Sequence, residues 1–523
     1  MKKELSSRKI SVLLLALLVS LLAAVGVSYA KYIGAFSAEN TSFSLTIKGK
    51  PSYLAAGKSW YSRSTYRYLR GSASNNVDYD QVTQIYFEPD RSKMPTDYTN
   101  YYVWDASCDD SQSFIAALDK KTKVVTVYGN EDGQIIANPN SSYMFSNKYA
   151  NAKLTAIYGL GNLDTSNVTD MKYMFYWCTR LKYIDVSMWD TSKVTDMQYM
   201  FSSCHLGDKL DVSNWDVSNV TNMTQMFACS YISKIDVSKW DVSKVTRMHR
   251  LFCQTSVKTL DVSNWNVSNV TDMNSLFDAC ENLKELDLSK WNTSKVTDMA
   301  CMFNSCTSLK ELDLSSFDTS KVTDMHRMFG VCSSLTSLNV SRFNTLNVTD
   351  MSEMFLACRS LTTLDVSSFN TSKATTMASM FYQCRSLKEL DVSKFNTSNV
   401  TNMWRLFIDC SSLTNLDLSG FDTAKVTNMS MMFSGCSNLT TINASDKFKT
   451  DKVTSSSDMF ANCTSLVGGK NTAYNSSYTD RTYARIDGGT SNPGYFTGDL
   501  TTLSATGTDE PANGFGLAPD PAS

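Results

Sequence analysis

The sequence has few of the residues that enzymes and nucleic-acid-binding proteins depend on. Its three histidines, His205, His249 and His326, stand in no H-E-x-x-H or serine-elbow motif, so nothing points to a catalytic site. Lys and Arg number 49 against 51 Asp and Glu, and no basic excess favours nucleic acid. The C-x-x-C spacing of a zinc site is also absent. We therefore predict a protein that is not an enzyme, has no cofactor, has no assigned metal ligands and binds no nucleic acid.

The first 30 residues have the composition of an export signal. Four basic residues between positions 2 and 9 precede an apolar run over 12–25, and Ser28 and Ala30 are small residues at the cleavage positions. An uncleaved membrane anchor is the alternative, although the run is short for a spanning helix. The stretch G-V-S-Y-A-K-Y-I-G-A-F resembles the signals of exported bacterial camelysin- and TasA-type proteins. We expect a bacterial protein that is secreted or held at the cell surface, and that meets the membrane only through this signal if it stays uncleaved.

Residues 31–141 follow the signal, and we predict that they form a small N-terminal domain or cap. Val82–Phe87 and Lys123–Tyr128 have the pattern of strands, and Ser111–Lys120 has the pattern of a short helix. An aromatic cluster in this segment could form a ligand platform, but burial against the first repeat is the favoured interpretation. Its members are Trp60, Tyr98, Tyr101, Tyr102 and Trp104.

A repeat of about 26 residues organises the rest of the chain. The phenylalanine of an M-F-x-x-C-like segment recurs at Phe175, Phe201, Phe227, Phe252, Phe277, Phe303, Phe329, Phe355, Phe381, Phe407, Phe433 and Phe460. A fixed period in this range indicates a solenoid of stacked units. We predict repeats over 142–466, with an atypical first unit and twelve cysteine-containing units, then a C-terminal cap over 467–497 and a disordered tail over 498–523.

Two periodicities alternate within one unit, for which residues 286–311 serve as the example. Residues 299–306 place Met, Met, Phe and Cys at helical spacing, and Thr297 can cap that helix. The leucines at 309, 312 and 314 then suit a short strand. The predicted fold class is therefore an α/β repeat solenoid, a leucine-rich-repeat-like array of 26-residue strand-loop-helix units with N- and C-terminal caps.

The repeat L-D-V-S-x-W-D-x-S-x-V-T-D-M-x-x-M-F-x-x-C resembles the BspA-like leucine-rich-repeat surface proteins of bacteria. The resemblance covers about 142–466, and the closing T-Y-A-R-I-D-G-G-T-S-N-P-G-Y-F-T at 482–497 resembles the end piece of such arrays. It implies an exposed or secreted binding protein, often linked with adhesion.

Three columns of identical residues are candidates for chemistry. Twelve cysteines, one per unit, could bind metal or cross-link, but small buried thiols that fill space are favoured. The strand aspartates, such as Asp287 and Asp313, would point outward, held by hydroxyls and backbone amides of the loop or by calcium. A tryptophan column that changes to phenylalanine at Phe317 is favoured as packing over a sugar-binding stripe.

The variable column before each strand aspartate, together with the aspartate itself, is the candidate ligand-binding face. We expect it to bind an extracellular protein or glycan, such as a host matrix protein or the surface of another cell. The alternative is a passive structural spacer or a self-associating surface coat. The candidate residues are Tyr183, Lys209, Lys234, Glu285, Asp287, Glu311, Asp313, Glu389, Asp391 and Asn415.

Overall fold

The computed structural model describes residues 52–54, 81–108, 111, 113–146 and 153–498. The predicted export signal at 1–30, Trp60 and the predicted tail beyond Gly498 lie outside the described residues. Within the described ranges no helix is long and apolar enough to cross a membrane. The strands are β1 (Gln84–Glu88), β2 (Tyr101–Asp105), β3 (Ile115–Asp119), β4 (Val124–Tyr128), β5 (Ile135–Ile136), β6 (Ala156–Tyr158), β7 (Leu163–Asp164), β8 (Asn415–Leu418), β9 (Thr441–Ala444) and β10 (Phe496–Gly498). Single-turn 3-10 helices span Arg91–Lys93, Leu160–Asn162, Gly207–Lys209, Arg481–Tyr483 and Gly489–Ser491.

The N-terminal strands form a five-stranded sheet in the order β2-β3-β4-β1-β6. β2, β3 and β4 pair antiparallel, whereas β1 pairs parallel with β4 on one side and β6 on the other. At the edge strand β6, the Ile157 N–H donates to the Tyr183 carbonyl of the repeats at 3.0 Å. The sheet therefore continues into the hydrogen bonding of the repeats. The domain boundaries expected from the sequence stay predictions.

Two of the three predicted N-terminal elements are confirmed, since the run at 82–87 overlaps β1 and the run at 123–128 contains β4. The helix predicted over Ser111–Lys120 is wrong, because Ile115–Asp119 is β3, which lies between β2 and β4. Four consecutive apolar residues are buried there, and periodicity alone cannot assign so short a run to a helix or a strand. Trp104 is buried as expected, whereas Tyr98 is exposed.

The helix predicted in every repeat is wrong. Residues 299–306 form a run of turns, and no α-helix occurs among the described residues. Some N–H groups bond within the unit, as Met302 does to the Met299 carbonyl at 3.2 Å. Alternate groups bond to the next unit, as Cys301 does to the His326 carbonyl at 2.8 Å. An α-helix would keep all of these bonds inside the segment, so this bonding excludes the predicted strand-loop-helix solenoid. The repeats are instead coils of turns and bridges.

These turns need a left-handed backbone at two positions in each coil. In the example unit the positions are Cys301 (φ 55°) and Ser305 (φ 58°), and a pair four residues apart recurs in each of the twelve cysteine-series coils. Glycine is the residue that indicates this conformation in a sequence, yet Gly435 is the one glycine among these positions. The M-x-x-M-F-x-x-C pattern therefore predicts a helix by its spacing, since no glycine in it indicates the turns.

Thr297 does not cap a helix. Its hydroxyl and N–H both donate to the Thr271 carbonyl of the preceding coil, at 3.2 and 2.9 Å. Asp298 instead accepts from the Ala300 N–H at 2.9 Å and belongs to a column of single parallel bridges that runs from Asn140 to Ser455. In the twelve cysteine-containing units, the predicted L-x-L strand is hydrogen-bonded as a regular strand only at β8 and β9.

The core consists of stacked columns, one residue per coil. The phenylalanine rings stack from Phe145 to Phe460, with centroids 5.2 to 6.0 Å apart between neighbours. The tryptophan column is buried, as predicted, and each indole N–H donates to a carbonyl of the preceding coil, as Trp291 does to Val262 at 3.1 Å. Where Phe317 replaces tryptophan, the Ser316 hydroxyl donates to the equivalent carbonyl of Leu288 at 3.0 Å. The hydrogen bond is therefore kept although the indole is lost.

We expect Val331→Gly to stabilise the protein by about 1 kcal/mol, because Val331 has a φ of 59° and a left-handed β-branched residue is strained. In a helix the same change would destabilise by about 0.5 kcal/mol, because glycine is a poorer helix former than valine. Urea unfolding checks the sign. Ser334→Gly in the next turn is the matched control, since Ser334 is not among the residues with positive φ, and it should lower stability. A destabilising Val331→Gly would contradict the turn conformation.

The C-terminal end closes the phenylalanine column. β10 pairs parallel with β9, and Phe496 and Tyr495 pack edge-on against Phe460 at 6.0 and 5.1 Å. Asp487 is buried beneath this segment and accepts hydrogen bonds from the N–H groups of Lys470, Thr472 and Gly489. These contacts cover the last coil.

Candidate functional site

The strand aspartates are held by the serine two residues later. Asp287 Oδ1 accepts from the Ser289 N–H at 3.0 Å and from its hydroxyl at 2.7 Å. The Ser289 hydroxyl and N–H therefore lower the pKa of the exposed Asp287 carboxyl. The same two hydrogen bonds from a serine recur at Asp236 and Asp391. They agree with the prediction that hydroxyls and backbone amides of the loop hold the strand aspartates. Among the described residues, no three His, Cys, Asp or Glu side chains are grouped so that they could hold a metal ion.

An open groove of about 1040 Å³ crosses successive coils on the candidate face, between Lys234 and Thr363. We call it the acidic groove. Its charged lining residues are Lys234, Asp236, Asp261, Glu285, Asp287, Glu311 and Asp313. Six carboxylates thus face one ammonium group.

Aliphatic core residues lie beneath the acidic groove. They are Ile235, Leu260, Leu286, Leu312 and Leu338, each only 6–8 % exposed. The corresponding L-x-L segments are not assigned as strands, and the few backbone bonds between them include the Lys284 N–H to the Lys258 carbonyl at 3.3 Å. The coils are therefore held together mainly on their turn side, and the core residues beneath the groove stay buried.

The acidic groove brings together half of the predicted binding residues, which are Lys234, Glu285, Asp287, Glu311 and Asp313. The other half do not line it. Tyr183 and Lys209 lie on earlier coils, and Glu389, Asp391 and Asn415 lie on later ones.

Tyr183 belongs to a separate aromatic row that the sequence did not reveal. Its ring contacts Tyr158 of β6 at 5.1 Å between centroids, and Tyr158 stacks on Tyr86 of β1 at 4.7 Å. Tyr86 and Tyr183 are each 38 % exposed. The pairing of β1 with β6, which no repeat pattern predicts, brings these three residues together.

The twelve cysteines of the column are free thiols, and all of them are buried except Cys229, which is exposed. The Cys306 thiol donates to the Phe277 carbonyl of the preceding coil at 3.2 Å, and burial raises the pKa of Cys280 and Cys332 to about 12. Such thiols are poor nucleophiles. Cys229 and Cys253 do not stand at the position that the other cysteines of the column occupy in their coils. Ser230 and Thr255 occupy that position in these two coils.

The alternating N-V-T and K-V-T triplets form a hydrogen-bonded column. Asn219 donates to the Ser192 carbonyl at 2.7 Å and accepts from the Lys244 ammonium at 2.6 Å. Further Lys-to-Asn pairs are Lys193–Asn167, Lys295–Asn269, Lys373–Asn347 and Lys425–Asn399. The alternation of asparagine and lysine therefore has a structural reason, because the lysine of one coil donates a hydrogen bond to the asparagine of the preceding coil.

The three histidines lie apart from one another. His205 contacts the Tyr231 ring at 4.3 Å, His249 faces Asp272 at 3.7 Å, and His326 bonds to the Ser352 hydroxyl at 2.8 Å. They belong to different coils. The absence of enzymatic activity stays a prediction.

The stacked columns of core residues, the aspartates hydrogen-bonded to serines and the variable outer face define a solenoid repeat protein. The family model described as "Mycoplasma protein of unknown function, DUF285" matches residues 140–256, 228–330, 302–390 and 385–486. These matches span more than half of the chain, so the protein belongs to this family. The prediction of a repeat protein is confirmed, and the narrower BspA-like assignment stays a prediction.

A solved structure with some similarity is the functional domain of InlJ from Listeria monocytogenes, which includes a cysteine ladder. The two share 19 % sequence identity over 58 % of this chain and 69 % of that chain, with a TM-score of 0.29. No curated protein matches the chain.

Proposed function

We propose that the protein is a non-enzymatic, exported surface protein of the BspA-like type, and that its acidic groove binds a basic, extended segment of an extracellular protein. The observation that carries the proposal is the lining of the groove, where six carboxylates and one ammonium group lie together. The export-type N-terminus and the BspA-like repeats support an extracellular, adhesin-like role.

The dimensions and chemistry of the acidic groove favour an extended chain as its ligand. Coils joined by parallel bridges lie about 4.8 Å apart, so a groove over six coils is roughly 24 Å long, the length of an extended peptide of about seven residues. The carboxylates suit the charged ends of Lys and Arg side chains, which can donate hydrogen bonds to them. Asp287 and Asp313 remain free to accept such contacts through their second oxygens, since their Oδ1 atoms take the serine hydrogen bonds.

We expect the full-length protein to bind immobilised matrix proteins that contain Lys- and Arg-rich segments, and a synthetic basic peptide. The double substitution Glu285→Lys/Glu311→Lys should weaken this binding about tenfold, because two attractive contacts become repulsive. Raising the salt concentration should also weaken binding, since exposed charges are screened. Surface plasmon resonance with the unaltered protein and the double variant checks the expectation.

Glu389→Lys is the matched control, because Glu389 occupies the same column on a coil outside the acidic groove. It should leave binding unchanged. An equal loss in the control, or no binding by the unaltered protein, would contradict the proposal. Ordered oligomers in sedimentation, without peptide binding, would instead favour the self-associating coat.

A further inference from the structure

Five aromatic residues lie together on the turns of the first coils. We call them the aromatic patch, defined as Tyr143, Tyr173, Tyr176, Trp177 and Tyr199. The rings of Tyr143, Tyr173 and Tyr199 stack in a row, with centroids 4.6 Å apart. Tyr176 lies edge-on to Tyr173 and Tyr199 at 5.3 and 5.8 Å, and Trp177 lies 5.9 Å from Tyr176. Trp177 is 39 % exposed, and the four tyrosines are half-buried.

The fold does not require aromatic residues at these positions. In later coils the position of Tyr199 is taken by Gln225 and Arg250, and the position of Trp177 is taken by Ser203. Four of the five residues also have a left-handed backbone, with φ between 57° and 61°, a conformation that disfavours large side chains. The left-handed backbone is common to the coils, so what distinguishes these residues is that they are aromatic and partly exposed where the scaffold does not need them, and this indicates a binding role.

Two phenol groups of the aromatic patch accept hydrogen bonds from neighbouring side-chain amides. Gln225 donates to the Tyr199 hydroxyl at 2.8 Å and Gln198 to the Tyr173 hydroxyl at 3.4 Å. Asn222 fixes Gln198 through a hydrogen bond of 3.0 Å. The patch residues carry no charge themselves, and the nearby Lys172 and Asp170 form an ion pair at 3.0 Å. The surface thus combines aromatic rings with positioned neutral hydrogen-bonding groups.

We propose that the aromatic patch is a second binding site, specific for a neutral oligosaccharide. The C–H faces of pyranose rings would pack against the exposed indole and the neighbouring phenols, while sugar hydroxyls bond to the amide and phenol groups. The patch shares no residue with the acidic groove, and this site does not depend on the function proposed for the groove.

The test uses the full-length protein with two neutral tetrasaccharides, chitotetraose and cellotetraose, in isothermal titration calorimetry. We expect one or both to bind, and Trp177→Ala to weaken that binding about tenfold through the loss of one stacking contact. Tyr176→Ala should weaken it as well. Trp404→Ala is the matched control, because Trp404 also lies on a turn, where it packs on Arg405 at 4.3 Å, and it should have no effect. The double substitution Glu285→Lys/Glu311→Lys should have none either.

Circular dichroism and urea unfolding establish that the variants are folded. The proposal is overturned if neither tetrasaccharide binds, or if Trp404→Ala reduces binding as much as Trp177→Ala. It is also overturned if Trp177→Ala dissociates a dimer in sedimentation while sugar binding is unchanged, because the patch would then be an interface between two copies of the chain.

Discussion

We expect Phe303→Ala to lower the free energy of unfolding of the repeats by about 4 kcal/mol, the usual range for removing a buried ring. Phe303 is fully buried, and its ring stacks on Phe277 and Phe329 at 5.8 Å on either side. Each coil contacts mainly its neighbours, so no distant contact can compensate for the cavity. Urea unfolding followed by tryptophan fluorescence checks this, since Trp291 lies 6.2 Å from Phe277.

Phe303→Leu is the control for the loss of the ring stacking alone. Leucine keeps most of the buried volume, and such exchanges usually destabilise by less than about 1.5 kcal/mol. We also expect Phe303→Ala to separate the unfolding of the coils before and after it, because coupling between neighbours is what makes an array cooperative. A loss below about 1 kcal/mol would show that the phenylalanine column is not what joins the coils.

The sequence predicts which side chains are buried better than it predicts the backbone. Met299, Met302, Phe303 and Cys306 are all fully buried, as their spacing indicates. The same spacing suits a helix, yet here it belongs to overlapping turns whose alternate N–H groups bond to the next coil. The decisive signal would be a glycine at each left-handed position, but Cys301 and Ser305 hold this conformation in the example unit. Inter-coil hydrogen bonds override their local preference.

The candidate site was partly predictable for a related reason. The period of 26 residues identifies the outward columns, so Glu285 and Glu311 are found from the sequence alone. Where those columns become a groove depends on the backbone, because the L-x-L segments there are not joined as strands. The aromatic patch was missed because Tyr173 and Trp177 lie at turn positions that a helix would have presented differently. The row at Tyr183 was missed because it depends on the pairing of β1 with β6.

Asp487 is the residue whose loss should most affect the C-terminal end. It is 3 % exposed, and it accepts the N–H groups of Lys470 and Gly489 at 2.8 Å and the Thr472 hydroxyl at 2.7 Å. A Cβ on Gly468 would lie 2.6 Å from its Oδ2, so the chain closes tightly around the carboxylate. Burial by itself would raise the pKa of Asp487, but the hydrogen bonds from Thr472, Gly489 and Lys470 outweigh it and lower the pKa to about 2.

We therefore expect Asp487→Ala to destabilise the C-terminal segment by about 3 kcal/mol, since it leaves buried N–H groups without an acceptor. A carboxyl whose pKa is lower in the folded state stabilises the protein above its unfolded pKa of about 4, and this stabilisation is lost as the pH falls toward 2. Limited proteolysis between pH 6 and pH 2.5 should show cleavage after about residue 467 in the unaltered protein only at the acid end, and in Asp487→Ala at every pH. Asp480→Asn is the control, because the exposed Asp480 makes similar bonds to Thr482 and water can replace them. Equal protection of both variants at pH 6 would show that the segment is held by Tyr495 and Phe496 and not by the buried carboxylate.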